Sequence, residues 1–267
     1  MGDVLGLLAI NAGVSAACFL VLWGIGVALK DVTFVDAWWA LGMVVLAVSS
    51  YVVTWPASPH KFALTCLAAA WGLRLGAYLL NRWRTQGKDR RYVTMLGKAE
   101  TERGWGFARS SLLLVFALQA PLQFIVALPV QLGQVAPDDT RLGPVALIGV
   151  ALSCVGLFFE TVGDWQLSHF KADPANKGKV MDRGLWRYTR HPNYFGDACV
   201  WWGLFLVASE TRWGLWSLPG PILITFLLTR WSGVPTVEGR LRRTRPAYLD
   251  YVARTSGFVP WFPKKTP

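Results

Sequence analysis

Charge is the scarcest ingredient of this chain. Only 16% of its 267 residues are charged, where a soluble domain carries about a quarter. With 53% hydrophobic residues and a mean hydropathy of +0.35, that deficit excludes an ordinary soluble globular protein. Histidine is nearly absent too: His60, His169 and His191 are the three present, and no His/Cys/carboxylate cluster has metal-ligand spacing, so no metal is expected. The four cysteines, Cys18, Cys66, Cys154 and Cys199, fall inside apolar runs without a CxxC and read as small core residues. There is no GxGxxG, no P-loop and no GxSxG, which excludes a Rossmann, Walker or hydrolase-elbow site. No internal repeat stands out, and no basic stretch precedes the first apolar run, which is therefore expected to be retained.

What the chain has instead is apolar runs close to the roughly 20 residues that cross a bilayer. Seven spans are predicted, at about 4–29, 34–54, 62–80, 111–130, 143–162, 194–208 and 218–229. The last two are short and separated by Glu210-Thr211-Arg212, so a broken hairpin is the alternative there. The fold class expected is all-α: a polytopic membrane helix bundle, one membrane domain over 1–267, with a polar cap of loops and a tail over 230–267. The 15 tryptophans fit interfacial belts and bundle packing.

The net charge of +11 raises the question of nucleic acid, and its distribution answers it. The cations gather after span three (Arg82 to Arg109), after span five (Lys171 to Arg190) and in the tail (Arg230 to Lys265), whereas the opposite loops hold only Lys61, Arg141 and Arg212. By the positive-inside rule the N-terminus is out and the C-terminus cytoplasmic. Lipid phosphate or a phosphorylated cofactor remains a partner for those cations, and nucleic acid does not.

Several polar groups sit where apolar spans make them conspicuous. Asp36 opens span two, either as a functional acid or as a plain helix-start partner of the dipole. Arg74 lies within span three, whose end carries Tyr78, Asn81, Arg82 and Arg84; these either compensate the helix C-terminus or clamp phosphates. Glu160 and Asp164, four apart at the expected end of span five, oppose the dipole there and call for a partner such as a basic loop or ribose hydroxyls. The stretch Arg190-His191-Pro192-Asn193-Tyr194-Phe195-Gly196-Asp197 runs straight into span six. It predicts a helix with His191 at the N-cap, Pro192 at N1, and Asn193 and Asp197 one turn apart on one face. The tail, with Glu238 among Arg240, Arg242, Arg243 and Arg245, then Tyr248 and Tyr251, reads as a packed element rather than a polybasic segment on anionic lipid.

RHPNYFGD, the Trp-rich span behind it and a tail of the form E-x-x-L…R-P-x-Y-x-x-Y…F-x-P resemble the steroid 5α-reductase-like membrane family, in its bacterial branch. Sterol C=C reductases share a similar RHPNYxGD, and isoprenylcysteine carboxyl methyltransferases a looser RHPxYxG. The resemblance covers about Trp71 to Pro263. It implies a seven-span enzyme of a bacterial inner membrane that uses NADPH to reduce a C=C bond conjugated to a ketone, as in 3-oxo-Δ4 steroid to 5α-3-oxosteroid. Asn193 and Asp197 would hold the nicotinamide end, Asp164 and Lys171 the ribose and phosphates with Asn81, Arg82 and Arg84, and Arg240 the cap. Arg74, Tyr92, Glu160, Lys179, Arg190, His191, Tyr194 and Glu238 complete the expected cofactor set, with Asp36 and Tyr78 as catalytic donors to the ketone oxygen. The chain departs from the steroid enzymes in span two, where Asp36 stands in place of their Gln-Glu pair, and in span three, where Tyr78 is offset from their carbonyl-gripping Tyr. Two other classes stay open: an S-adenosylmethionine-dependent methyltransferase of the prenylcysteine type, and a non-catalytic lipid-binding membrane protein. The cations favour a phosphate-bearing cofactor over the first, and the paired acids disfavour the second.

Overall fold

The computed structural model describes residues 2–137 and 140–264; Lys265, counted above among the tail cations, lies outside them. Among the described residues regular structure is helical, apart from a lone parallel bridge between Thr189 and Ser256. Five stretches are long and apolar enough to cross a membrane: Asp3–Leu29, Val35–Val53, Pro59–Gln86, Phe107–Val126 and Pro144–Ala172. They correspond to the first five expected spans, within α1 (Gly2–Leu29), α2 (Val35–Val53), α3 (Pro59–Gln86), a composite fourth element and α8 (Pro144–Ala172). The last two expected spans are helical as well. One is α9 (Pro192–Ser209), which begins on polar RHPNYFGD residues, and the other is α10 (Pro219–Phe226) continued by a π turn over Leu227–Trp231.

Helix ends are where the expectation fails. The apolar runs stop at residues 80 and 162, but α3 continues to Gln86 and α8 to Ala172. Once nucleated, a helix gains one backbone hydrogen bond per added residue, so polar residues extend it past the apolar stretch. Asn81, Arg82 and Arg84 are therefore helical rather than in a loop, and Glu160 and Asp164 lie inside α8 rather than at its C-terminus, which removes the dipole argument made for them. The cysteines are corrected in part: Cys199 is buried, whereas Cys66 and Cys154 are exposed on their helices.

The chain divides into two compact units, Met1–Ala146 with Leu204–Gly220, and Leu147–Gly203 with Pro221–Pro267. In the first unit α2 and α3 lie against each other along Gly72 and Gly76. A methyl group on Gly72 would stand 2.7 Å from the Ala40 carbonyl oxygen, and one on Gly76 2.6 Å from Leu41 Cγ. Where lipid is as apolar as the side chains, such small-residue contacts are what let helices associate. Phe19, Val32, Phe34, Val35, Leu96, Val115 and Phe116 form a buried cluster beside them. The fourth span is assembled from α5 (Phe107–Ser111), a π turn over Leu112–Phe116, α6 (Ala117–Val126) and α7 (Leu128–Leu132), with Pro121 inside α6. Pro121 has no N–H to give the ladder. Preceding this span is α4 (Arg90–Arg103), a polar helix capped by Asp89 at its start and by left-handed Gly104 at its end.

In the second unit glycines recur every seven residues on both partners of one seam: Gly149, Gly156 and Gly163 on α8, Gly196 and Gly203 on α9. A methyl on Gly196 would meet the Gly156 carbonyl oxygen at 2.5 Å, and one on Gly203 the Gly149 carbonyl oxygen at 2.5 Å. The two backbones are thus in direct contact. The tail forms α11 (Val234–Thr244) and α12 (Tyr248–Arg254), then returns past residues 188–190 through Arg190 N to Ser256 O at 2.9 Å and Trp261 N to Tyr188 O at 2.9 Å.

Candidate functional site

The helix predicted from RHPNYFGD forms as expected: α9 starts at Pro192, and Phe195 N donates to the His191 carbonyl at 3.0 Å. Asn193 and Asp197 lie one turn apart on it. Asn193 Nδ2 donates to Asp164 Oδ1 on α8 at 3.1 Å. Glu160, Asp164 and Asp197 are all buried. The α8–α9 seam therefore carries an amide and three acids in a sheltered setting, while Lys171 in the last turn of α8, Lys179 beyond it and Arg240 on α11 are exposed.

Immediately before α9 a second cluster holds the tail. Glu238 Oε1 accepts from Arg190 Nε at 2.8 Å and contacts His191 Nε2 at 3.1 Å, and Oε2 accepts from Arg242 Nη2 at 3.2 Å. Burial alone would push the Glu238 carboxyl up; the hydrogen bonds from His191 and Arg190, with the Arg190 charge, outweigh it and hold the group down at about 2. Arg190 also reaches back with Nη1 to the Thr255 carbonyl at 2.6 Å. The His191 ring stacks on Tyr194, with centroids 5.3 Å apart and planes 4° from parallel. Tyr248 is buried nearby, and burial followed by the Glu238 charge raises its phenol well above the ordinary range. The Tyr251 hydroxyl donates to the Trp186 carbonyl. Arginine, histidine and glutamate here fix the entry of α9 and the seat of α11 as one piece.

The first unit has its own polar cluster. Asp36 Oδ1 accepts from the Tyr92 hydroxyl at 2.7 Å, and Oδ2 from Arg91 Nη2 at 2.8 Å and Arg82 Nη2 at 3.2 Å. Tyr92 accepts in turn from Gln119 Nε2 at 3.2 Å. Burial, then the Asp36 charge, raises the Tyr92 phenol well above its ordinary value. Three donors, two of them guanidinium, converge on this carboxylate, which ties α2 to α3 and α4. Asp36 is thus an acceptor here, which does not fit the proton-donor part expected of it. Arg82 and Tyr92 each hydrogen-bond Asp36. Arg74 and Tyr78 are half-buried on α3, and Asn81 and Arg84 are exposed at its end.

Arg91 and Gln119 are partners that sequence reasoning did not single out. Arg91 had a readable signal: Asp89 before it and Gly104 after it are helix start and stop residues, and a helix there brings Arg91 and Tyr92 together at its first turn. Gln119 had none beyond being polar within an apolar span.

The chain belongs to the DUF1295 family, described as a protein of unknown function, whose model matches residues 22–255. It is similar to the probable O-methyltransferase ustE of Ustilaginoidea virens, with 32% identity over 94 residues. That match covers 35% of this chain and only 33% of the fungal protein's length. It is also similar to the uncharacterized protein C594.04c of Schizosaccharomyces pombe, 22% identical over 276 residues covering 90% of this chain and 76% of that protein. No solved structure matches.

Proposed function

We propose that this DUF1295 membrane protein is an NADPH-dependent reductase of a C=C bond conjugated to a ketone in a lipidic, steroid-like substrate. The observation that carries the reading is the Asn193–Asp164 pair at the buried α8–α9 seam, with exposed cations further along the same unit. A carboxamide presents a donor and an acceptor together, and an adjacent amide and carboxylate match both. Phosphates match Lys171, Lys179 and Arg240. The donor set therefore fits the cofactor. When bound, NADPH supplies a hydride to the β-carbon of the enone, and a solvent-derived proton completes the α-carbon. Asn193, Asp164 and Asp197 hold the carboxamide end. Arg190, His191 and Glu238 keep the α9 entry in place. The same reading puts the N-terminus outside and the C-terminus in the cytoplasm of a bacterial inner membrane.

A second reading has its own support. Glu160, Asp164 and Asp197 are buried acids that would also complement a sulfonium, and part of the chain is similar to a probable O-methyltransferase. An S-adenosylmethionine-dependent methyltransferase is therefore the rival.

One titration separates them. Purified protein is titrated with NADPH and with S-adenosylmethionine, read by tryptophan fluorescence. The reductase reading expects NADPH to bind and the methyl donor to be without effect; the reverse result overturns it. Asn193→Ala is expected to weaken NADPH binding about tenfold, the loss of one neutral hydrogen bond to the carboxamide, with unchanged circular dichroism.

A further inference from the structure

The first unit holds a cavity of about 280 Å³ that no part of the proposed reaction uses. Its apolar wall includes Val32, Val93, Leu96 and Phe107. Its charged lining is of both signs: Lys30 and Lys88 on one hand, Glu100 and Asp31 on the other, with Lys30, Lys88 and Glu100 exposed and the Asp31 charge close to Lys88. The Asp31 carboxylate already accepts from Thr33 N and Oγ1 and from Trp83 Nε1. Lys88 Nζ donates to the Lys30 carbonyl at 2.7 Å, which brings the two lysines to the end of α1 and leaves the ammonium further donors. Lys30 Nζ sits 5.4 Å from the centre of the Phe107 ring.

Gly97 forms part of the cavity wall. It lies in the middle of α4, where glycine weakens a helix, and a methyl group added there would meet nothing within 4 Å. No turn and no close backbone approach requires a glycine at this position. Its missing side chain is empty space in the cavity wall.

We propose that this cavity binds a phospholipid carrying both a phosphate and a primary ammonium, an ethanolamine-type headgroup. The phosphate goes to Lys30 and Lys88, the ammonium to Glu100, and the start of one acyl chain runs along Val93, Leu96 and Phe107. A purely anionic lipid would satisfy the lysines and be repelled by Glu100. A choline head would bring its charge but no N–H for the carboxylate to accept. The volume suits a headgroup and the beginning of a chain, with the rest left in the bilayer.

The test uses the full-length protein in detergent micelles, with native mass spectrometry counting retained lipid from phosphatidylethanolamine, phosphatidylcholine and phosphatidylglycerol, and from soluble glycerophosphoethanolamine. Phosphatidylethanolamine is expected to be retained best. Gly97→Leu should lower that retention about tenfold while the melting temperature holds or rises, because leucine is the better helix former. Glu100→Gln should abolish the preference over phosphatidylglycerol. Preference for phosphatidylglycerol in the unmodified protein, unchanged retention in Gly97→Leu, or equal binding of the soluble headgroup would each overturn the proposal, the last by showing a free phosphoester as the ligand.

Discussion

Asp36 in the first unit and Glu238 in the second are built to the same plan, a carboxylate between two arginines and a third polar group. They differ in what surrounds them. Asp36 is 19% exposed, and its arginines, Arg82 and Arg91, are 35% and 48% exposed. Glu238 is 8% exposed, and two of its partners, Arg190 and His191, are 13% and 3% exposed. If Asp36 is lost, both guanidinium groups can turn to water. If Glu238 is lost, Arg190 and His191 stay buried with nothing opposite them on that side. Equal hydrogen-bond counts therefore carry unequal weight, and the cluster beside RHPNYFGD is the one the unit depends on.

Glu238→Gln should have the largest effect: about 3 kcal/mol or more of lost stability, since removing one partner leaves a buried charge uncompensated. Thermal unfolding in detergent and limited proteolysis of the tail would read it, and an unshifted melting temperature would refute the contrast drawn here. Next comes pH. The folded Glu238 carboxyl lies at about 2, below its ordinary 4.5. A depressed acid stabilises the fold fully above 4.5, and that contribution is lost as pH falls toward 2. Melting temperature should therefore decline over that window in the unmodified protein, and decline less steeply in Glu238→Gln. The smallest effect is expected from Asp36→Asn, about 1 kcal/mol, because its ion pairs are partly exposed and the amide still accepts. A loss as large as that of Glu238→Gln would erase the distinction between the two clusters.

The spans were readable in the sequence because an apolar run of the right length has few other uses. The α9 start was readable too, since Pro192 after His191 has a direct steric meaning. What escaped was everything governed by polar residues continuing a helix. α4 looked like a basic loop because its charges conceal Leu96 and Ala99, the two residues that it buries. The ends of α3 and α8 were placed where hydrophobicity stopped rather than where hydrogen bonding stopped. Partner choice was the least legible. That Arg82 and Tyr92 would turn to Asp36, and Arg190 to Glu238, depends on contacts between residues 46 to 56 positions apart in the chain, and no local pattern encodes them. The glycine spacing in α3 and along the α8–α9 seam was visible and went unused, although it marks the closest helix contacts.

Lys61, counted at first among the few cations opposite the basic loops, is 2% exposed, and its Nζ donates to the Thr54 and Pro56 carbonyls at 2.6 and 2.9 Å. Its amine is thereby withdrawn from chemistry at the surface. A membrane-impermeant acylating reagent would pass it by from either side of the bilayer, so the turn between α2 and α3 is silent in lysine-labelling maps of sidedness. A cysteine introduced at exposed Pro56 would report the position of that turn where the native lysine does not.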